Sequence, residues 1–213
     1  MKNFTRIAAL LLSIAIIFGF TGCPSPVTEP TPTTEPTPET PNNQEQSGED
    51  DSIPEEYRTP LTFEAIKDGQ IVITYPWSTL KYSIDGGEKQ AVNAEVDQHG
   101  DLTATITVQA NQKVSFYADG SENDVDEDYI QNFRCAGENT EAYFYIYGNV
   151  MSLLDSTNFR SKTDIDESFA FSYLFSDGYV RWTNHPEKDI ILPATSLKPY
   201  CYAGMFDGCE SME

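Results

Sequence analysis

Seven prolines fall within eighteen residues: Pro24, Pro26, Pro30, Pro32, Pro36, Pro38 and Pro41. Proline fixes φ and has no amide donor, so neither a helix nor an interior strand can form across this stretch. The remainder of residues 24–57 is rich in Thr and Glu, with nine acids and no Lys or Arg between Pro24 and Glu56. So little apolar surface cannot offset the entropy of ordering, and the acids repel one another. Residues 24–57 are therefore expected to be a disordered tether. At roughly 3.1 Å per residue in polyproline II, it would reach on the order of 100 Å when extended. Any packed core must be built from residues 58–213, which are numerous enough to bury one.

On the other side of the tether, Lys2 and Arg6 precede an almost unbroken apolar run from Ile7 to Phe20. A membrane span needs roughly twenty residues, and this run is shorter, so it reads as the core of a signal peptide. It ends in Phe20-Thr21-Gly22-Cys23, which resembles the lipobox of bacterial lipoproteins, with Phe20 where Leu is usual. The resemblance implies cleavage before Cys23 and acylation of its thiol, making membrane lipid a partner. Several acyl chains are needed for stable anchoring. An ordinary secretory signal with an incidental cysteine is the alternative. Pro24 stands where an Asp can signal inner-membrane retention, so an outer-membrane or cell-surface location is expected.

Residues 57–213 carry 25 acids against 11 bases, a net of −14. Such a field repels phosphate backbones, and nucleic acid is not expected as a partner. Cys135, Cys201 and Cys209 are an odd number, so they cannot all pair within the chain. They read as small buried apolar side chains, and their pairing is left open. Only His99 and His185 could supply imidazole, without metal-ligand spacing.

From Leu61 the apolar period is two. Strands are expected near Leu61–Ile66, Gln70–Tyr75, Thr79–Ile84, Glu88–Ala94, Leu102–Val108, Lys113–Ala118 and Ala142–Tyr147. Asp85-Gly86-Gly87 between two such runs is a hairpin signal, since Asp and Gly tolerate positive φ. The pattern predicts a mainly β protein whose residues 58–148 form an antiparallel β-sandwich of immunoglobulin-like size. After Gly148 the character changes. Residues 150–154 read as a short helix. Phe169–Phe175 and Tyr200–Phe206 superpose at an offset of 31 residues, pairing Phe171 with Tyr202, Leu174 with Met205 and Phe175 with Phe206. Between them Asp189–Leu192 reads as a buried strand. Residues 149–213 are thus expected to begin a short α/β solenoid of leucine-rich type, with strand, turn and short helix as its unit.

Four blocks carry a wider resemblance: Tyr145-Ile-Tyr-Gly-Asn-Val-Met-Ser-Leu153, Asn184-His-Pro186, Leu192-Pro-Ala-Thr-Ser-Leu197 and the segment from Cys201 to Met212. In this order they resemble bacterial surface proteins with a β-rich leader followed by leucine-rich-like repeats of the BspA type. The likeness covers about residues 61–213. It implies adhesion to host or neighbouring-cell components, protein or glycan, with no catalytic residues, and no cofactor is expected. The chain departs from the pattern at Phe144, where a second cysteine is expected, which puts any family pairing with Cys135 in doubt. A solenoid usually needs roughly three or more repeats. One and a partial copy read as a leader plus the first turn of a longer ancestor or reading frame, with a non-functional truncated fragment as an alternative.

Two sharper constellations remain. Asp124, Asp126 and Asp128 place alternate carboxylates where calcium could bind, although Tyr129 and Cys135 stand where the loop grammar wants Gly and Glu. A solvated acidic loop is the competing reading. Trp77, Tyr143 and Tyr145 are candidates for stacking on sugar rings, which makes a glycan-binding sandwich the alternative function. No spacing selects a catalytic pair of carboxylates or a nucleophile elbow, so an enzyme is not expected.

Overall fold

The computed structural model describes residues 52–120, 131–136, 141–176 and 182–212. They belong to one unit, residues 48–213. The described residues form eleven strands: β1 (Thr62–Ala65), β2 (Gly69–Thr74), β3 (Lys81–Ile84), β4 (Gln90–Ala91), β5 (Glu95–Val96), β6 (Leu102–Val108), β7 (Lys113–Tyr117), β8 (Asn132–Ala136), β9 (Phe144–Asn149), β10 (Trp182–Asn184) and β11 (Ile190–Ile191). The chain is mainly β, in two sheets. One runs β10-β9-β1-β7-β3-β4, with β11 also paired to β9; the other runs β5-β6-β2-β8.

The period-two reading explains which side chains point inward. In β6, Ala104, Ile106 and Val108 are buried while Thr105 and Thr107 are exposed. In β2, Ile71 and Ile73 are fully buried. The expected hairpin is formed: Asp85 has φ +51° and Gly86 +72°, and beyond the turn Tyr82 pairs with Gln90. Side chains of the two sheets meet in the core. The ring of Phe133 on β8 lies 5.2 Å from Phe63 on β1 and 4.7 Å from Phe116 on β7. Cys135, Cys201 and Cys209 are all buried, as their apolar reading required.

The sheet does not stop where the sequence changes character. Trp182–Asn184 and Ile190–Ile191 pair parallel with β9, at Trp182↔Phe144 and Ile190↔Gly148. The bend that allows this sits at Gly148, with φ +95°, in close approach to the chain before β1. A Cβ there would lie 2.1 Å from the Pro60 carbonyl oxygen. Next to it, fully buried Asn149 caps the 3-10 turn Val150–Leu153 by accepting from the Met151 amide, and donates to the carbonyls of Tyr57 and Phe159.

The expected short helix in each 31-residue copy is corrected. Residues 169–176 and 200–207 are successive tight turns with i→i+3 bonds, and Phe169, Tyr173, Tyr200 and Gly204 all have φ between +52° and +60°. An α-helix cannot hold such residues, and it satisfies its amides internally across a cylinder about 10 Å wide. Here the amides bond from one copy to the next. Phe169, Phe171, Tyr173 and Phe175 donate to the carbonyls of Pro199, Cys201, Ala203 and Met205 at 2.7–3.2 Å. The rings follow at the same offset: Phe169 on Tyr200 at 5.1 Å, Phe171 on Tyr202 and Phe175 on Phe206 at 5.4 Å. The two copies are layers spaced like neighbouring strands.

Replacing Gly148 by Ala should therefore destabilise the fold by about 3 kcal/mol, through a strained φ and a backbone clash. Urea unfolding should show this as a lower midpoint at unchanged slope.

Candidate functional site

Because Phe144 and Ile146 point into the core, Tyr145 and Tyr147 stand on the opposite face of β9. That face carries a polar cluster centred on Glu64 of β1, which is paired directly with Tyr145. The Glu64 carboxylate accepts from the Tyr147 hydroxyl at 2.8 Å. Around it lie Lys188 Nζ at 3.5 Å, Lys113 Nζ at 3.8 Å and His185 Nε2 at 3.8 Å. Lys188 Nζ also sits 4.1 Å over the Tyr147 ring, a cation–π contact. The His185 ring meets Tyr145 and Tyr147 edge-on at 5.2 and 5.0 Å, while its Nδ1 accepts from the Glu187 amide.

Burial alone would raise the Glu64 pKa. The Tyr147 hydrogen bond and the charges of Lys113, Lys188 and His185 outweigh it, so the carboxyl titrates below its usual range. Burial first, and then Lys188, lowers the His185 pKa. Burial and its bond to Glu64 push the Tyr147 phenol well above its ordinary value, so it remains a donor. Beside the cluster, a cleft of about 590 Å³ is lined by Thr62, Asp85, Asn111, Lys113, Tyr147 and Lys188. In a chain of net charge −21, two lysines from separate segments converge here on one carboxylate.

The second candidate surface is the outer face of the last layer. Tyr200, Leu197 and Leu192 are 66%, 57% and 43% exposed. Alongside, a groove of about 490 Å³ is lined by Ile190, Leu192, Phe206, Cys209 and Met212.

The residues singled out from sequence are dispersed. Trp77 is buried in the core, and its indole Nε1 has no hydrogen-bond partner among the described residues, so it offers no open ring to a sugar. Tyr143 is half-buried beneath Lys67 Nζ, 4.0 Å from its ring centroid. Tyr145 is half-buried against His185. The three therefore do not form one platform. Cys23 and the calcium candidates Asp124, Asp126 and Asp128 lie outside the described residues. The charged partners around Glu64 escaped sequence reasoning. Lys113 and Lys188 come from separate strands and loops, and only Asn184-His185-Pro186, a block of the resemblance, marked the neighbourhood.

Neither a family model, a curated protein nor a solved structure matches this chain.

A carboxyl whose folded pKa is depressed stabilises the fold above its unfolded value, and this contribution is lost as pH falls through the folded value. The stability difference between wild type and Glu64→Gln should thus be greatest near neutral pH and shrink below about 4.5, the ordinary value for the group. Chemical denaturation across pH 3–7 measures it, and a difference that grew on acidification would contradict the network.

Proposed function

We propose that this chain is a lipid-anchored cell-surface interaction protein of the adhesion type. Acylated Cys23 holds it to the membrane, residues 24–57 lift the folded part away, and the two sheets form a sandwich that presents a stacked, leucine-rich-type repeat. The observation that supports this reading is the translation of residues 169–175 onto 200–206. Ring, backbone conformation and hydrogen-bonding pattern all repeat at an offset of 31. Repeating layers of this kind generate extended surfaces that suit binding to large partners. The lipobox-like Phe20-Thr21-Gly22-Cys23 supplies the attachment, and the BspA-like blocks supply the likeness to surface adhesins. The partner class is protein on a host or neighbouring cell.

Expressed in a bacterial host, the wild-type chain should enter the detergent phase on detergent partitioning, and Cys23→Ser should move it to the aqueous phase. An unchanged distribution would remove the anchor from this reading.

A further inference from the structure

Apart from the Glu64 cluster, the larger sheet carries another cleft beside the end of β7. Side chains alternate along that strand, so Val114 and Phe116 enter the core while Tyr117 takes the other face. A cleft of about 410 Å³ opens at Tyr117, lined by Arg58, Lys89, Ser156, Thr157 and Arg160. Three bases thus meet from three separate segments: the approach to β1, the β3–β4 connection and the loop after the 3-10 turn. Lys81 adds a fourth, because it stands directly opposite Tyr117 in the β3–β7 ladder. No carboxylate is among the described residues that line the cleft. In residues 57–213 acids outnumber bases by 25 to 11, so composition alone would have placed acids there.

These cations are held in place without being neutralised. Lys89 Nζ lies 3.8 Å from the Tyr117 ring centroid and donates to the Ser156 carbonyl at 3.3 Å. The Arg160 guanidinium sits 5.9 Å from the centroid of the buried Phe159 ring. Among the described residues, none of Lys81, Lys89 and Arg160 is paired with a carboxylate, whereas Arg58 pairs with exposed Glu55 at 3.2 Å. Two acids of the region are turned to the loop backbone. Asp119 accepts from the Ser156 amide and Asp155 from those of Thr157 and Asn158, at 2.7–3.0 Å. Such bonds fix the loop that brings Ser156, Thr157 and Arg160 to the cleft.

The geometry points to a binding site for an acidic saccharide, a short sugar chain bearing carboxylate or sulfate groups. Ammonium and guanidinium groups without carboxylate partners favour the anion. Serine and threonine hydroxyls suit the hydroxyls of a sugar, and Tyr117 and Phe159 supply an apolar wall for its ring carbons. The volume falls within the roughly 300–1,000 Å³ of small-ligand clefts. A peptide adding as a strand finds no edge here, because β7 is paired on both sides, with β1 and β3. The closely spaced phosphates of a nucleic acid are repelled by the acidic surroundings. This inference goes beyond the proposed function, since it needs neither the anchor nor the stacked layers.

Titration calorimetry on the full chain tests it with a heparin tetrasaccharide, a hyaluronan tetrasaccharide, neutral chitotetraose, tetraglutamate and a thymidine tetranucleotide. At least one of the two acidic sugars should bind saturably, tenfold or more tighter than the last three probes; heparin alone would assign sulfate as the anion, and hyaluronan would assign carboxylate. In amide spectra the bound sugar should shift Tyr117, Ser156 and Thr157. Lys89 and Arg160 are exposed, so changing both to Ala should keep the unfolding midpoint and weaken binding at least tenfold. Lys67→Gln removes a charge beyond the other end of β1 and should leave binding unchanged. Absence of binding by both acidic sugars would overturn the inference, as would shifts confined to other residues. Equal weakening by Lys67→Gln, or equally tight binding of tetraglutamate or the tetranucleotide, would also overturn it, because the surface would then read charge alone.

Discussion

The ring of Phe63 is the point at which every part of the folded unit meets. It lies on β1, in the middle of the larger sheet, and packs edge-on against Phe116 from β7 at 5.2 Å and Trp182 from β10 at 5.1 Å. Phe133 reaches it from the second sheet, and Phe175 reaches it from the first stacked layer at 6.0 Å. Aromatic pairs in such geometries contribute about 0.5–1.5 kcal/mol beyond the area they bury. More important than the sum is the connectivity. A single fully buried side chain couples two sheets and the layered segment, so none of the three can shift without repacking the others. The boundary suggested by the change of sequence character at Gly148 is crossed by this cluster and by the pairing of β9 with β10 and β11.

Strand β9 transmits that coupling to the surface. Its inward residues, Phe144 and Ile146, belong to the core, while Tyr145 and Tyr147 hold the polar cluster around Glu64. Its end, at Asn149, feeds a fully buried side chain that ties the approach to β1, the 3-10 turn and the Phe159 carbonyl together. Glu64 and Tyr147 are separated by 83 residues yet hydrogen-bonded, so the outer face is as firmly defined as the inner one. Glu64 is half-buried, and its carboxylate keeps its charge there because such partners surround it.

Much of the β architecture was legible because alternation survives in the sequence. The alternation over Leu102–Val108 coincides with β6 residue for residue, and Asp85-Gly86-Gly87 turns where expected. The misses share a physical cause. Asn132–Ala136 has only Phe133 and Cys135 to show a period, and Trp182–Asn184 and Ile190–Ile191 are too short to show any. Parallel pairing of the last two is dictated by β9, a tertiary partner that local pattern does not reveal. The 31-residue copies are visible in the sequence but read as helix, because a spacing of apolar residues at three and four is shared by helices and by chains of tight turns. Among candidate sites, Trp77 is marked in the sequence only by its aromatic ring, and the fold buries that ring. Glu64 carried no sequence signal, since its significance comes from cations brought in from distant segments.

The layered segment also explains why its two copies are not identical. Phe169, Tyr173 and Tyr200 adopt positive φ with large side chains, at a cost of about 1–2 kcal/mol each. Ring stacking and a net gain of about 0.5–1.5 kcal/mol per interlayer hydrogen bond are of the size needed to offset this. Gly204, the counterpart of Tyr173, follows a different logic. A Cβ at Gly204 would lie 2.4 Å from Cε1 of Tyr173, whose ring leans forward over the position. One column of the stack can therefore accept a ring from the first layer only if the second layer surrenders its side chain there. The other columns, Phe169 with Tyr200, Phe171 with Tyr202 and Phe175 with Phe206, keep rings in both layers because those rings lie nearly parallel, at 11–21°. The copies thus differ where the packing of one layer on the next forces them to differ. The same constraint leaves the column above Gly204 without a ring leaning outward, while its flanks remain aromatic.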